Sequence, residues 1–398
     1  MRIARTLPLL AVLPVATAQA TPAPSPAPAA DAGRQAAALL QQGFTAVARD
    51  VFPSVVTVRT FVRSDGSQKA PVDAAAPRWI APAGTPEYPG FQPLGAGSGF
   101  FVDADGDVLT CLHPFQRADG TLADLVDVET QDGSVVISEL VGSEPTLDLA
   151  IVHCMVFPNW RVPEIKALRF GDSDAVQCGQ WALGFGDPPG PEKALGVGVV
   201  VARPSRDCYQ ELLTSAFLQT SLQLSPQAYG GPLVDLDGAV IGILCPLRTS
   251  TTGGPIDSQK GEHQGPVFAL PSKILASIYP SIRKNRSFQS PWLGFSVMSR
   301  SEIAVKKGVA AFNAMKKPRH GILIENVFQP SPAAAAGVQP GDFLTDFDGK
   351  GIFAPTDFQR LLYLAGVGKQ VKCEFFRDGQ SFTATLAIEK RPPEAVTR

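Results

Sequence analysis

Between about residue 95 and residue 285, short apolar runs alternate with clusters of turn-forming residues. Three of these runs carry an Asp-Gly pair near their centre: residues 102–109, 126–137 and 233–244. An Asp-Gly pair flanked by β-branched and apolar residues favours a tight β-hairpin. Many short strands without long intervening helices predict an antiparallel barrel or sandwich for this part of the chain.

The pattern changes after about residue 291. Ser331 and Pro332 precede four alanines and Gly337, which predicts a short capped helix. Thr356 precedes an amphipathic stretch, which predicts a second helix, and residues 371–388 alternate around Asp378-Gly379 as a hairpin does. We therefore expect a small α+β domain over residues 291–392, separate from a mainly β domain over residues 37–285.

The N-terminus has the pattern of an export signal. Arg2 and Arg5 precede a short apolar stretch that ends before Ala18-Gln19-Ala20, a small-x-small cleavage pattern. We expect residues 1–20 to be removed, so that the mature chain begins near Thr21. Residues 21–36 are rich in Pro and Ala and poor in large apolar side chains, so we interpret them as a linker.

Composition excludes several partners. The chain has 398 residues, 18% charged residues and a formal net charge of −2, which provides no field for nucleic acid. No segment after the signal has the length and apolar purity of a membrane span. The six cysteines lack zinc-site spacing, and most lie in apolar runs typical of buried free thiols; we expect neither a metal nor a cofactor.

Several segments of the β-rich region together resemble the HtrA (Deg) family of trypsin-like serine proteases. They occur in the family's order at residues 97–101 (GSGFF), 109–113 (LTCLH), 146–150 (TLDLA), 170–173 (FGDS), 184–188 (GFGDP), 230–234 (GGPLV) and 268–272 (FALPS). The resemblance implies a chymotrypsin-like double β-barrel. It also implies that His113 acts as general base and that Asp148 orients its imidazole.

The nucleophile segment departs from the family pattern Asn-Pro-Gly-Asn-Ser-Gly-Gly-Pro-Leu. This chain has Ser-Pro-Gln-Ala-Tyr-Gly-Gly-Pro-Leu over residues 225–233, so Tyr229 stands at the serine position. Gln227 stands at a glycine position that contributes to the oxyanion hole; if that position needs positive φ, Gln227 disfavours the donor orientation. A tyrosine cannot reproduce the geometry of serine attack. We expect neither Ser225 nor Cys111 to replace the serine as nucleophile.

The C-terminal domain resembles the PDZ module of the same family. Trp292-Leu293-Gly294-Phe295 matches the carboxylate-binding loop, and residues 331–342 match the family's most recognisable stretch. The resemblance implies that these backbone amides bind a peptide carboxylate and that the next strand pairs with the peptide. The Lys-rich insertion at residues 300–319 is interpreted as a solvated face.

These features predict an exported pseudoprotease, periplasmic or secreted, that binds peptides or misfolded proteins in envelope quality control or regulation. The alternatives are an active endopeptidase with an unorthodox site, and an adaptor or chaperone subunit of an active paralogue. Family resemblance implies a homotrimer or a hetero-oligomer, with Phe44, Val51 and Phe52 in the contact segment. His153, His263 and His320 have no partner at ligand spacing and are interpreted as incidental.

Overall fold

The structure is a computed structural model that describes residues 28–64, 88–155, 165–186, 193–202, 217–246, 267–286 and 289–392. The chain divides into two units, Met1–Gly43 and Phe44–Arg398. The expected signal peptide lies outside the described residues, as do Cys208 and His263.

The first helix overlaps the segment that we interpret as a linker. Helix α1 runs over Pro28–Val51 and so begins inside the segment 21–36. Alanine has the highest helix propensity, and the run of alanines after Pro28 forms a helix without burying a core face. Residues 31–43 are exposed throughout. A composition too poor in large apolar residues to pack is therefore still able to form a helix.

Two closed six-stranded antiparallel barrels follow, as the alternating pattern predicted. The first barrel has the order β1-β2-β3-β6-β5-β4 and consists of β1 Val55–Arg63, β2 Phe91–Phe101, β3 Asp107–Cys111, β4 Leu125–Glu129, β5 Val135–Glu144 and β6 Leu149–Cys154. The second has the order β10-β11-β12-β9-β8-β7 and consists of β7 Trp181–Gly186, β8 Ala194–Ala202, β9 Leu218–Thr220, β10 Pro232–Val234, β11 Val240–Cys245 and β12 Val267–Pro271.

The expected Asp-Gly turns connect paired strands. Strand β2 pairs with β3, β4 with β5 and β10 with β11, each antiparallel. The turn glycines Gly106, Gly133 and Gly238 all have positive φ, which explains why glycine follows aspartate in each turn. The hairpin predictions are confirmed.

The two barrels share one continuous hydrophobic core. That cluster contains Phe100 and Leu109 from the first barrel together with Leu183 and Leu233 from the second. Burial of large apolar side chains contributes about 1.5–3 kcal/mol per residue, so a shared core holds the barrels in one fixed arrangement. The cleft between the barrels is therefore a rigid place for a site.

The C-terminal domain consists of a six-stranded sheet, a separate two-stranded sheet and several helices. Helix α2 Ser272–Asn285 leads into it, and the remaining elements are β13 Pro291–Trp292, β14 Phe295–Met298, α3 Arg300–Lys307, α4 Val309–Ala314, β15 Ile322–Val327, α5 Pro332–Ala335, β16 Phe343–Phe347, β17 Lys350–Gly351, α6 Pro355–Ala365, β18 Gln370–Arg377, β19 Gln380–Ala387 and β20 Glu389–Lys390. The sheet order is β14-β15-β16-β18-β19, with β17 on β16, and β13 pairs with β20. No helix of the described residues is both long and apolar enough to cross a membrane.

The helix ends follow local chemistry, with one correction. The side chain of Ser331 accepts a hydrogen bond from the backbone N–H of Ala334, so the predicted cap of α5 is confirmed. Helix α6, in contrast, begins at Pro355 after the N-cap residue Ala354, and Thr356 is not the cap. Proline is favoured at the first helical position, and the Asp357 carboxylate accepts hydrogen bonds from the backbone of Ala354 and the residue before it. These interactions start the helix earlier than predicted.

The C-terminal domain contacts the barrel domain through helix α6. Tyr363 of α6 belongs to the hydrophobic core that runs through the barrels. Arg360, one turn earlier, lies 3.1 Å from a carboxylate oxygen of Asp174. Ser290 donates a hydrogen bond to the Glu144 carboxylate at the end of β5. The two domains therefore pack directly against each other.

A charged network, which the sequence did not reveal, ties helix α2 to the first barrel. The ring Nδ1 of His153 lies 2.7 Å from Asp107 Oδ1, and the Tyr279 hydroxyl donates to Asp107 Oδ2 at 2.8 Å. Arg283 of α2 pairs with the carboxylates of Asp103 and Asp107. His153 is therefore not incidental: pairing of β3 with β6 places it directly opposite Asp107.

The network shifts the pKa of both members of the His-Asp pair. Hydrogen bonding to Asp107 raises the pKa of His153 against the opposing effect of burial. Burial raises the pKa of Asp107, but the hydrogen bonds from His153 and Tyr279 and the charge of Arg283 outweigh it, so that its pKa falls. The pair therefore favours the ionised form of the carboxylate and the protonated form of His153.

We predict that His153→Gln destabilises the protein more at pH 5.5 than at pH 8.5. A group whose pKa is raised on folding stabilises the folded state fully below its unfolded-state pKa. This stabilisation is lost as the pH rises through the folded-state pKa. Because the His153 side chain is 35% exposed, the loss at pH 5.5 is only about 0.5 kcal/mol. Thermal unfolding at both pH values measures it, with His320→Gln as control. Equal losses at the two pH values would contradict an ion pair.

Candidate active site and peptide-binding groove

His113 lies at the mouth of the first barrel. Strand β3 ends at Cys111, and His113 opens a short 3-10 turn with Pro114 as its second residue. The imidazole is 23% exposed, so it reaches the surface while its backbone stays in the fold. The prediction that His113 lies at the end of an apolar strand is thus confirmed.

Asp148 holds this imidazole from the neighbouring strand. It follows the 3-10 turn Pro145–Leu147 and directly precedes β6. Its Oδ2 lies 2.7 Å from the His113 ring Nδ1, and its Oδ1 accepts a hydrogen bond from the His113 backbone N–H at 2.8 Å. Asp148 has φ of 54°, a left-handed conformation that aspartate tolerates better than most residues. A proton on Nδ1 leaves Nε2 as the basic nitrogen, which is the arrangement of a general base.

The nucleophile segment lies in the second barrel and is clamped by both barrels. After the 3-10 turn Pro226–Ala228, the Tyr229 carbonyl accepts from the Ser98 N–H of β2 at 3.0 Å, and the Gly230 N–H donates to the Leu244 carbonyl of β11 at 2.8 Å. Gly230 has φ of 91°, and a Cβ there would lie 2.1 Å from the Ser98 oxygen. Only glycine fits at that position.

The Tyr229 side chain fills space in the core instead of standing free in the cleft. The residue is 7% exposed and belongs to the hydrophobic cluster shared by the barrels. Burial, followed by the neighbouring thiols of Cys245 and Cys111, raises the pKa of the Tyr229 phenol to about 12. At neutral pH the phenol is therefore protonated. These two cysteines could not be predicted as neighbours from the sequence, because they belong to strands of different barrels.

The oxyanion position is occupied by local backbone bonds. The Tyr229 N–H donates to the Pro226 carbonyl at 3.1 Å within the 3-10 turn. Gln227 lies inside this turn and does not have a positive φ. Its carbonyl accepts a hydrogen bond from Ser98 Oγ at 2.7 Å, which fixes the peptide orientation. The Tyr229 N–H is thus already bonded within the turn when a substrate oxygen approaches. Loss of one oxyanion donor costs a factor of about 10² to 10³ in turnover.

The two other candidate nucleophiles occupy different places. Cys111 is 1% exposed, and its thiol donates to the Leu244 carbonyl at 3.5 Å. Its Sγ, a ring nitrogen of His113 and an oxygen of Asp148 lie within 4.8 Å of one another. These donor types are able to bind a metal ion, and the sequence did not predict this grouping. Ser225 is exposed and precedes the 3-10 turn. A buried thiol is inaccessible to a substrate carbonyl.

The predicted carboxylate loop connects β13 to β14. Trp292 and Leu293 are buried, and Phe295 stacks on Phe358 of helix α6 with 5.2 Å between ring centroids. Gly294 has φ of 92°, and a Cβ there would lie 2.1 Å from the Cβ of Ser331. The loop therefore requires glycine at its centre.

Backbone planarity directs two loop amides away from the core. The Leu293 carbonyl accepts from the Ala333 N–H at 2.9 Å, and the Gly294 carbonyl accepts from the Phe328 N–H at 2.8 Å. In a trans peptide the N–H points opposite to the preceding carbonyl. The amides of Gly294 and Phe295 therefore point to the opposite side, at β14, the terminal strand of the sheet. Adjacent amides of this kind form a carboxylate site beside an edge that accepts a strand.

The fold and the His-Asp pair define a trypsin-like double barrel followed by a small α+β domain, and family models agree. The trypsin-like peptidase domain model matches residues 97–243, and the PDZ domain model matches residues 291–388. The protein named "Probable periplasmic serine endoprotease DegP-like" of Marinomonas sp. (strain MWYL1) is 31% identical over 301 residues, which cover 74% of this chain and 57% of that protein. Its namesake in Pseudomonas fulva (strain 12-X) is 28% identical, over 75% and 56% of the two chains.

Solved structures show the same fold. The HtrA-type protease AlgW with a decapeptide has a TM-score of 0.62 and 24% identity, over 87% of this chain and 98% of that one. A serine endoprotease from Yersinia pestis has a TM-score of 0.53 and 19% identity, over 87% and 97% of the two chains. The chain therefore has a trypsin-like peptidase domain followed by a PDZ domain and is similar to the HtrA and DegP-like proteases. It spans little more than half the length of the two relatives compared above.

We predict that Tyr229→Ser lowers the free energy of unfolding by about 2–4 kcal/mol, because removing a buried ring leaves a cavity in the shared core. Tyr229→Phe keeps the ring and costs about 1 kcal/mol or less. Denaturant unfolding of both variants beside the wild type measures the difference. If both variants cost the same, the ring does not pack in the core.

Proposed function

We propose that this chain is an exported pseudoprotease of the HtrA family, which binds peptides and misfolded proteins through its PDZ domain in envelope protein quality control or regulation. The observation that supports this proposal most strongly is the buried Tyr229 at the serine position. Loss of the serine from a triad of this kind costs about 10⁶ in turnover. The engaged Tyr229 N–H adds a second, independent loss at the oxyanion position.

The endopeptidase alternative requires another nucleophile. Cys111 is sealed in the core beside Leu244, and Ser225 stands before the turn that carries Tyr229. The Tyr229 side chain is buried, and burial raises its pKa to about 12, which disfavours the ionised, nucleophilic form of the phenol. Among the described residues, Tyr229, Cys111 and Ser225 are each poorly placed to serve the His113–Asp148 pair as nucleophile, and we propose that the pair survives as a structural part of the cleft.

Peptide binding is supported by the C-terminal domain. The two outward amides of Gly294 and Phe295 lie at the start of β14, the edge strand of the sheet. A chain terminus that bonds these amides continues naturally as an added strand. The AlgW neighbour was solved with a decapeptide, which fits a peptide as ligand of this domain.

We propose that the chain works in the periplasm or outside the cell. The signal-like residues 1–20 and the relatives named periplasmic support this location. The proposed assembly is a homotrimer or a hetero-oligomer with an active paralogue. Of the three residues expected in that contact, Val51 is buried in the core, while Phe52 packs edge-on to Phe185 and Phe44 to Trp181. Only the half-exposed faces of Phe44 and Phe52 are available to a neighbour.

We predict that the wild type does not cleave unfolded casein, and that Tyr229→Ser alone yields no cleavage above background, since the turn at 226–228 still occupies the Tyr229 amide. Adding Gln227→Gly and Ala228→Asn restores the family sequence and measurable cleavage. The matched control adds His113→Ala to the triple variant and abolishes it. Wild-type cleavage that is lost in His113→Ala but kept in Tyr229→Phe would contradict the proposal and point to Ser225 or Cys111.

We predict that the mature chain binds peptides with a free, apolar C-terminus at least about tenfold more tightly than their amidated forms, since charged hydrogen bonds to the loop amides are lost. Gly294→Ala abolishes this preference, because its Cβ would clash with Ser331. Gly349→Ala is the matched control, since Gly349 also has positive φ but open space around it. Fluorescence anisotropy measures both. Equal affinity for the acid and the amide would show that the loop does not bind carboxylates.

A further inference from the structure

The insertion between β14 and β15 is a positively charged helical hairpin formed by α3 and α4. Its apolar side, with Ile303, Phe312 and Met315, packs on Met298, Leu323 and neighbouring residues. Helix α6, by contrast, packs on the other hydrophobic cluster of the sheet, which includes Phe295 and Val297. Strand β14 therefore has α6 beside one face and the hairpin beside the other.

The charge of this hairpin is strongly one-sided. Residues 299–319 contain six cationic side chains and one carboxylate, that of Glu302; the cations are Arg300, Lys306, Lys307, Lys316, Lys317 and Arg319. Glu302 is used in the cap of α3, where its carboxylate accepts from the Ser299 N–H. Lys306 pairs with Glu325 of β15, and Arg300 donates to the Pro318 carbonyl.

Three of the cations are placed for a partner in solvent. Lys307, Lys316 and Arg319 are all exposed. The whole run 305–311, which contains Lys307, is also exposed. A chain whose formal net charge is −2 thus carries a local positive surface directly after its peptide-pairing strand.

The direction of a bound peptide brings its upstream residues to this surface. In the proposed complex, the C-terminal carboxylate of the peptide lies at Gly294 and Phe295. A peptide paired antiparallel to β14 therefore has its upstream residues toward Met298. Strand β14 has four residues, and an added strand rises about 3.3 Å per residue. Residues more than about four positions before the C-terminus therefore pass the end of β14, where Ser299 begins the hairpin.

We propose that the α3–α4 hairpin selects ligands with acidic residues upstream of an apolar free C-terminus. This inference rests on the proposed peptide binding and names its ligand class. Exposed charge pairs are individually weak, and several together act over the screening length of about 10 Å. The selectivity is therefore graded and sensitive to salt.

The test uses the full mature chain and three peptides that share the same apolar last four residues but carry four Asp/Glu, four Gly/Ser or four Lys/Arg residues immediately upstream. We expect the acidic peptide to bind roughly fivefold more tightly than the neutral one in 20 mM salt, with the ratio near one in 1 M salt. Lys307→Glu/Lys316→Glu removes the preference. The matched control Lys350→Glu/Lys372→Glu changes two exposed lysines on strands away from β14 and keeps it.

Two outcomes overturn the inference. Free-acid peptides that bind equally whatever their upstream charge would leave peptide capture intact and remove the role of the hairpin. An acidic preference that survives Lys307→Glu/Lys316→Glu would place the selectivity elsewhere.

Equal binding of the acid and amide forms is a different failure, that of the proposed function itself. Binding of phosphatidylglycerol vesicles, lost in the same double variant without any peptide preference in the wild type, would assign the hairpin to a membrane surface instead.

Discussion

The backbone clamp on the nucleophile segment is the constraint on which the site depends. The Ser98 N–H of the first barrel holds the Tyr229 carbonyl, and the Leu244 carbonyl of the second barrel holds the Gly230 N–H. These bonds fix the segment regardless of which side chain stands at position 229. A protein with this clamp can lose its serine and keep the shape of its cleft, because the shape comes from main-chain bonds and from glycine at position 230.

Within that fixed frame, the phenyl ring changes what the cleft can do. A serine side chain is small and would leave room beside Cys111 and Cys245, whereas the tyrosine ring fills space in the shared core. The same burial that gives the ring its packing energy raises the pKa of its hydroxyl. In the proposed pseudoprotease, the packing of the ring and the loss of reactivity thus have one cause, and the His113–Asp148 pair keeps its geometry.

Much of this arrangement could be predicted from local sequence. The Asp-Gly turns predicted the hairpins because their glycines need positive φ, and Ser331-Pro332 predicted α5 because a cap and a first-turn proline act locally. The His113–Asp148 pair followed from family resemblance. The neighbours of Tyr229 could not be predicted, since Cys111 and Cys245 lie on strands of different barrels and approach each other only in the folded chain. His153 was missed for the same reason: its partner Asp107 lies on another strand.

Intact-mass analysis after treatment with a fluorophosphonate probe tests most directly the proposal that the cleft has no serine-type nucleophile. An active member of the family, treated in parallel, gains the mass of one adduct. The wild-type chain is predicted to keep its unmodified mass, because the Tyr229 side chain is buried in the core shared by the barrels. A stoichiometric adduct on the wild type that disappears in His113→Ala would show a working nucleophile and contradict the claim.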